Sequence, residues 1–148
     1  MKTRKRIFVL AITVCAIFTT VFSCAAGEIK FTAAEENLIC RFVDAACGED
    51  APLAAKIGVA NVVLKRLADS NFPDTVTAVI FEGEFECVKN GELNKAFSAS
   101  AAVSAYDALR IALAGHDPTG GAIYFAEKGE GANDISISFE AGRLVFGK

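Results

Sequence analysis

The stretch PLAAKIGVANVVLKRLAD, residues 52–69, constrains the fold of this chain more than any other. Leu53, Ile57, Ala60, Leu64 and Leu67 recur at helical spacing, and Ala55, Val59 and Val63 widen the stripe. A helix apolar over so much of its circumference must be covered on several sides, which predicts a central core helix. Pro52 suits its first turn, where the missing N–H breaks no helical hydrogen bond. Upstream, FTAAEENLICRFVDAAC (31–47) opens with a capping-box pairing of Thr32 with Glu35. Leu38, Ile39, Phe42, Val43 and Ala46 then predict a helix near 33–47. SASAAVSAYDALRIALAG (98–115) predicts a third helix over 99–114, with Ser98 as its cap and Gly115 as its stop. Between them, SNFPDTVTAVIF (70–81) reads as a loop and a short helix starting near Pro73 or Asp74. EGEFECVKNGELNKAF (82–97), polar and broken by glycine, reads as a long loop.

After His116 the apolar period falls to two. Segments 122–126, 135–139 and 143–146 predict strands, the last two joined by a tight turn around Ala141 and Gly142. Helices first and a small antiparallel sheet last make an α+β domain. Its core is predicted around Leu38, Phe42, Ile57, Leu64 and Leu109. The 148-residue chain is expected to hold a single domain, residues 28–148, large enough to bury a core.

Residues 1–23 read differently. MKTRKR carries Lys2, Arg4, Lys5 and Arg6, and IFVLAITVCAIFTTVF (7–22) follows without a charge. A basic start, a short apolar run and small residues after it are the pattern of a secretion signal, so the chain is expected to be exported. VFSC (21–24) resembles a lipoprotein box that would lipidate Cys24 and attach the protein to a membrane. SCAAG (23–27) equally suits ordinary cleavage, and an uncleaved anchor is a third alternative. Loss of the four cations takes the formal charge from −3 to −7. An acidic domain is a poor phosphate binder, so nucleic acid is not an expected partner. Past the signal stand Cys24, Cys40, Cys47 and Cys87, without a Cys-x-x-Cys, and His116 is the single histidine. That pattern does not suit structural zinc, and no metal or cofactor is expected. Cys87 could pair with Cys47 or Cys40; small buried thiols are the alternative. The sequence is silent on oligomeric state.

LICRFVDAACGE (38–49), AAKIGVANVVLKRLADSNFPDTVTAVIF (54–81), FECV (85–88) and ALAGHDPTGGAIYF (112–125) follow one another in compact order. Together they resemble the SleB/CwlJ-type cell wall hydrolases, over roughly Thr32 to the C-terminus. The resemblance implies a small lysozyme-like helical domain that cuts peptidoglycan glycan strands between N-acetylmuramic acid and N-acetylglucosamine. In members that are lytic transglycosylases, the muramic sugar is left with a 1,6-anhydro end. One carboxylic acid protonates the leaving oxygen and then accepts the proton of the attacking C6 hydroxyl. Most other glycosidases use two carboxyls. Such an acid works best with its pKa raised toward the working pH.

The family pattern places its catalytic glutamate between a Leu-Leu-Ala-Arg start and a Gly-Glu end. Counted forward from Leu38-Ile39-Cys40-Arg41, that position is Ala46; counted back from Gly48-Glu49, it is Ala45. Neither can transfer a proton. Of the nearby acids, Asp44 lies about 200° round the helix from Ala46 and is expected to face elsewhere. Asp50 suits a cap for the next helix. Glu49 is left as the candidate catalytic acid, with a structural role at the helix end as its alternative. A second departure is GRLVF (142–146), where Arg143 and Leu144 stand for a family Asn-His. Phe85, Thr119, Gly120, Gly121 and Tyr124 match the family and are the expected substrate-binding residues. Glu84 and Glu86 are expected to be solvated, with substrate contact from the loop as an alternative. His116 is expected at the surface. Two functions stay open: a hydrolase or lytic transglycosylase with a displaced acid, and an inactive relative that binds peptidoglycan or an envelope partner.

Overall fold

A computed structural model describes residues 29–129 and 132–148. The expected signal segment, residues 1–23, and Cys24 lie outside the described residues. Helix α2, Leu53–Ala68, is the centre of the molecule, and every residue from Ala55 to Leu64 is buried. Helices α1 (Ala33–Cys47) and α6 (Val103–Leu113) pack on it and on each other. The Thr32–Glu35 capping box forms as the sequence predicts. Helix α3, Val76–Phe81, starts later than expected, capped by the Thr75 hydroxyl, which accepts from the Ala78 N–H at 3.2 Å.

Two expectations are corrected here. The segment 82–97 is not a plain loop. It forms the short helices α4 (Glu86–Lys89) and α5 (Glu92–Ala96), divided at Gly91, whose φ of 83° makes the turn between them. Helix α6 does not begin after Ser98. Its N-cap is Ala102, which has no side chain to offer. The reason is competition for the backbone. Arg41 of α1 takes the carbonyls of Ala96 and Ala99, and the Ala102 N–H donates to Asp44 at 2.6 Å. Residues 96–102 therefore bond to α1 instead of to a helical ladder.

Strands β1 (Tyr124–Glu127), β2 (Ile137–Ala141) and β3 (Leu144–Gly147) form an antiparallel sheet in the order β1-β3-β2. A single 3-10 turn at Ala132–Asp134 precedes β2. The whole of β3 is buried, and Phe146 lies over Gly58 of α2. This is the α+β architecture read from the sequence. Of the predicted core, Phe42, Ile57, Leu64 and Leu109 are buried, and Leu38 is half-buried against them. Cys40, Cys47 and Cys87 are buried free thiols, so neither disulfide pairing forms. Among the described residues, no helix is long and apolar enough to cross a membrane.

Candidate functional site

A groove of about 690 Å³ runs past the C-terminal end of α1. On one side it is closed by α4, α5 and residues 99–102, on the other by Phe125–Glu127 and by Arg143 and Leu144. It continues into a second cavity of about 550 Å³, lined by Arg66, Gly83, Glu84, Phe85, Tyr124 and Ile135. Glu86, Asn90, Phe125, Ala126 and Glu127 line both.

Ala45 and Ala46 form part of the first cavity's wall, at the two positions counted for a family glutamate. Asp44 lines the same cavity, contrary to the expectation that it faces elsewhere. The groove wraps round the end of α1: residues 99–102 close over the Asp44 side while Arg143 covers the Ala46 side. Both oxygens of Asp44 are engaged. One meets Lys56 Nζ at 3.0 Å and the other accepts the Ala102 N–H. Lys56 has no exposed surface and also donates to the Glu49 carbonyl at 2.7 Å and the Ser104 hydroxyl at 2.8 Å. One ammonium thus joins the end of α1 to the start of α6.

Two guanidinium groups share this wall. Arg41 donates to Asn37, Ala96 and Ala99 and lies 5.6 Å from the centre of the Phe97 ring. Arg143 donates to the Ala46 carbonyl at 3.2 Å and approaches Glu127 at 3.4 Å. Glu49 is exposed at the edge of the cavity. Among the described residues, its carboxylate has no hydrogen bond or ion pair.

The other expected site residues divide into two groups. Tyr124 (41% exposed) lines the second cavity. Phe85 lines it too but is buried, its ring stacked on Phe125 at 5.2 Å and 4.7 Å from Phe42. Thr119, Gly120 and Gly121 line neither cavity. They form a turn organised by Asp117, which accepts from the Thr119 N–H and hydroxyl and from the Gly121 N–H. Burial pushes the Asp117 carboxyl up, but these bonds and nearby Lys65 outweigh it and hold it below the usual range. His116 is exposed, and its carbonyl accepts from Asn61 at 2.9 Å.

Sequence reasoning missed Arg66. Its guanidinium is buried between Phe72, Phe85 and Tyr124, at 4.9, 4.3 and 5.1 Å from the ring centres. It also donates to the carbonyls of Ile123 and Gly83. The signal that could have found it is an arginine on the last turn of a core helix.

Residues 50–142 match the family described as Cell Wall Hydrolase. The chain belongs to the cell wall hydrolase family. The match begins just after Glu49, in the turn between α1 and α2. Spore cortex-lytic enzymes are similar over 75 residues, half of this chain: 36% identical in Bacillus cereus and 39% in Halalkalibacterium halodurans. The aligned segment is 27% and 22% of those proteins, so the chain matches about a quarter of their length. The fold is similar to that of the catalytic domain of the Bacillus cereus SleB protein, with a TM-score of 0.67 and 26% identity over 80% of this chain and 93% of that one. The catalytic domain of the germination-specific lytic transglycosylase SleB from Bacillus anthracis gives a TM-score of 0.66 at 25% identity, over 80% and 97%.

Proposed function

We propose that this domain is exported, binds peptidoglycan glycan strands in the groove beside α1, and cleaves them at N-acetylmuramic acid with Glu49 as the acid. The observation that carries this is the state of the groove carboxylates. Asp44 is tied to Lys56 and Ala102, Glu92 to Lys95, and Glu127 to Arg143. Glu49, two residues past the end of α1, and Glu86 of α4 line the groove without a partner among the described residues, and of the two Glu49 is the one next in the chain to Ala45 and Ala46. Its proton goes to the departing glycosidic oxygen as the C1–O bond breaks. The C6 hydroxyl of the muramic sugar then attacks C1 and returns a proton to Glu49. Atoms balance without water, and the product carries a 1,6-anhydro ring. Of the residues matched to the family, Tyr124 would contact the strand directly. Phe85, Thr119, Gly120 and Gly121 would shape the groove from behind.

A second reading, glycan binding without cleavage, is favoured by Ala45 and Ala46 in the wall and by Arg143 on the Ala46 carbonyl. Incubation of the protein with purified sacculi, followed by analysis of released muropeptides, separates the two. Cleavage that is abolished by Glu49→Gln supports the first. Sacculus binding without release, unchanged in Glu49→Gln, supports the second. Ala46→Glu alone should gain little, because the new carboxylate would meet Arg143. Ala46→Glu with Arg143→Asn should raise cleavage by about 10²-fold or more, the usual worth of a general acid. Intact-mass measurement of the mature chain tests removal of residues 1–23 and lipidation at Cys24.

A further inference from the structure

Glu84 has a φ of 58° and is the one positive-φ residue other than glycine among the described residues. Side chains crowd the backbone in this region, and a glutamate stays there only where its neighbours force it. They do so here. The Gly83 carbonyl accepts from Arg66 Nη1 at 3.0 Å. A Cβ on Gly83 would lie 2.2 Å from the Val79 carbonyl oxygen, so that glycine is fixed against α3. On the other side Phe85 is locked into the aromatic stack with Phe125. Residue 84 must reverse the chain between two anchored neighbours, and its side chain is left exposed at the second cavity.

That cavity is continuous with the groove and has the two surfaces a pyranose ring needs. Tyr124 offers a part-exposed ring, backed by the Arg66 guanidinium at 5.1 Å. Glu84 offers a carboxylate that can accept from sugar hydroxyls. Glycine at position 84 would adopt this φ without strain. A strained glutamate there points to a use for the side chain.

We propose that the second cavity binds an additional sugar ring of the glycan strand, with Glu84 accepting its hydroxyls and Tyr124 packing on its face. This rests on the reading that the groove holds a glycan strand, whether or not it cleaves it. The consequence is a length requirement: strands that reach both cavities bind more tightly than a disaccharide that fills one.

The test is calorimetric titration of the chain carrying Glu49→Gln with peptide-free strands of alternating N-acetylglucosamine and N-acetylmuramic acid, of two, four, six and eight sugars. Affinity should rise with length and then level off. Adding Glu84→Gln should cost about tenfold on the long strands and nothing on the disaccharide, as expected for loss of a charged hydrogen bond, at unchanged Tm. Glu84→Gly should show the same binding loss while raising Tm by roughly 4 °C, a combination that a purely structural residue would not give. Length-dependent binding that is indifferent to Glu84→Gln overturns the inference. So does length-independent binding, which leaves the groove reading standing. No binding at any length overturns both.

Discussion

Lys56 is a fully buried cation, and three groups from two other segments converge on its ammonium. Removing one member of such a pair leaves the other charge stranded, which is worse than removing both. Lys56→Met should therefore lower stability by about 3 kcal/mol, and Asp44→Asn with Lys56→Met should recover part of that. Urea melts of the single and double variants measure both. The buried thiols give a second expectation. Burial pushes Cys40, Cys47 and Cys87 up to about 12. In the unfolded chain a thiol ionises near about 8.5. Folded thiols thus stay protonated where unfolded ones do not. Stability is undiminished by them below about pH 8.5 and falls as pH rises from there toward 12. The urea midpoint should drop steeply above pH 8.5, less steeply in Cys47→Ala, and thiol reagents should label the protein only as it unfolds. At this scale the candidate site was partly legible. Glu49 could be singled out because it is the acid of a recognisable Gly48-Glu49, and it lines the groove. Asp44 was misread because a helical wheel gives the direction of a side chain but not what arrives to meet it, here the Ala102 N–H.

Helix α2 shows why sequence pattern fixes some elements and not others. Its apolar residues cover so much of the surface that only a central position satisfies them, and it was legible in full. Gly58 is the exception in its middle, where an added methyl would sit 2.8 Å from the Phe146 ring and 3.1 Å from Thr119. Gly58→Ala gains up to about 1 kcal/mol of helix propensity. Overpacking against a ring with no room to move costs about 1–3 kcal/mol. The net should be destabilising, with a lower Tm and an upfield or downfield shift of the Phe146 ring resonances. Helix α1 was equally legible, because its Thr32–Glu35 capping box is local. Helix α6 was legible in its body but not at its start. The first-turn bond that Ser98 would supply locally is replaced by Asp44, which lies 58 residues from Ala102. Helices α4 and α5 were missed because four or five residues hold no period; their stability comes from Phe85, Cys87 and Leu93 in the core.

At the scale of the molecule, charge and topology set the terms on which it meets a partner. Without residues 1–23 the formal charge of −3 becomes −7, since four cations and no acids are lost. Peptidoglycan stem peptides are also acidic, so long-range forces oppose the encounter. Sacculus binding should strengthen as salt rises from about 0.01 to 0.15 M, where the Debye length shrinks from about 30 to 8 Å. A binding curve that weakens over that range would mean a local basic surface dominates. Topology acts in time as well as in space. The strand latest in chain order, β3, is the middle one of the sheet, and its lead-in residues Arg143 and Leu144 close the groove. A chain that leaves the ribosome or a secretion channel N-terminus first can assemble α1 and α2 early. The two outer strands then wait, unpaired, for the one that belongs between them. Until residues 143–147 have emerged there is no sheet and no finished groove, so synthesis itself leaves the groove open until these strand residues arrive.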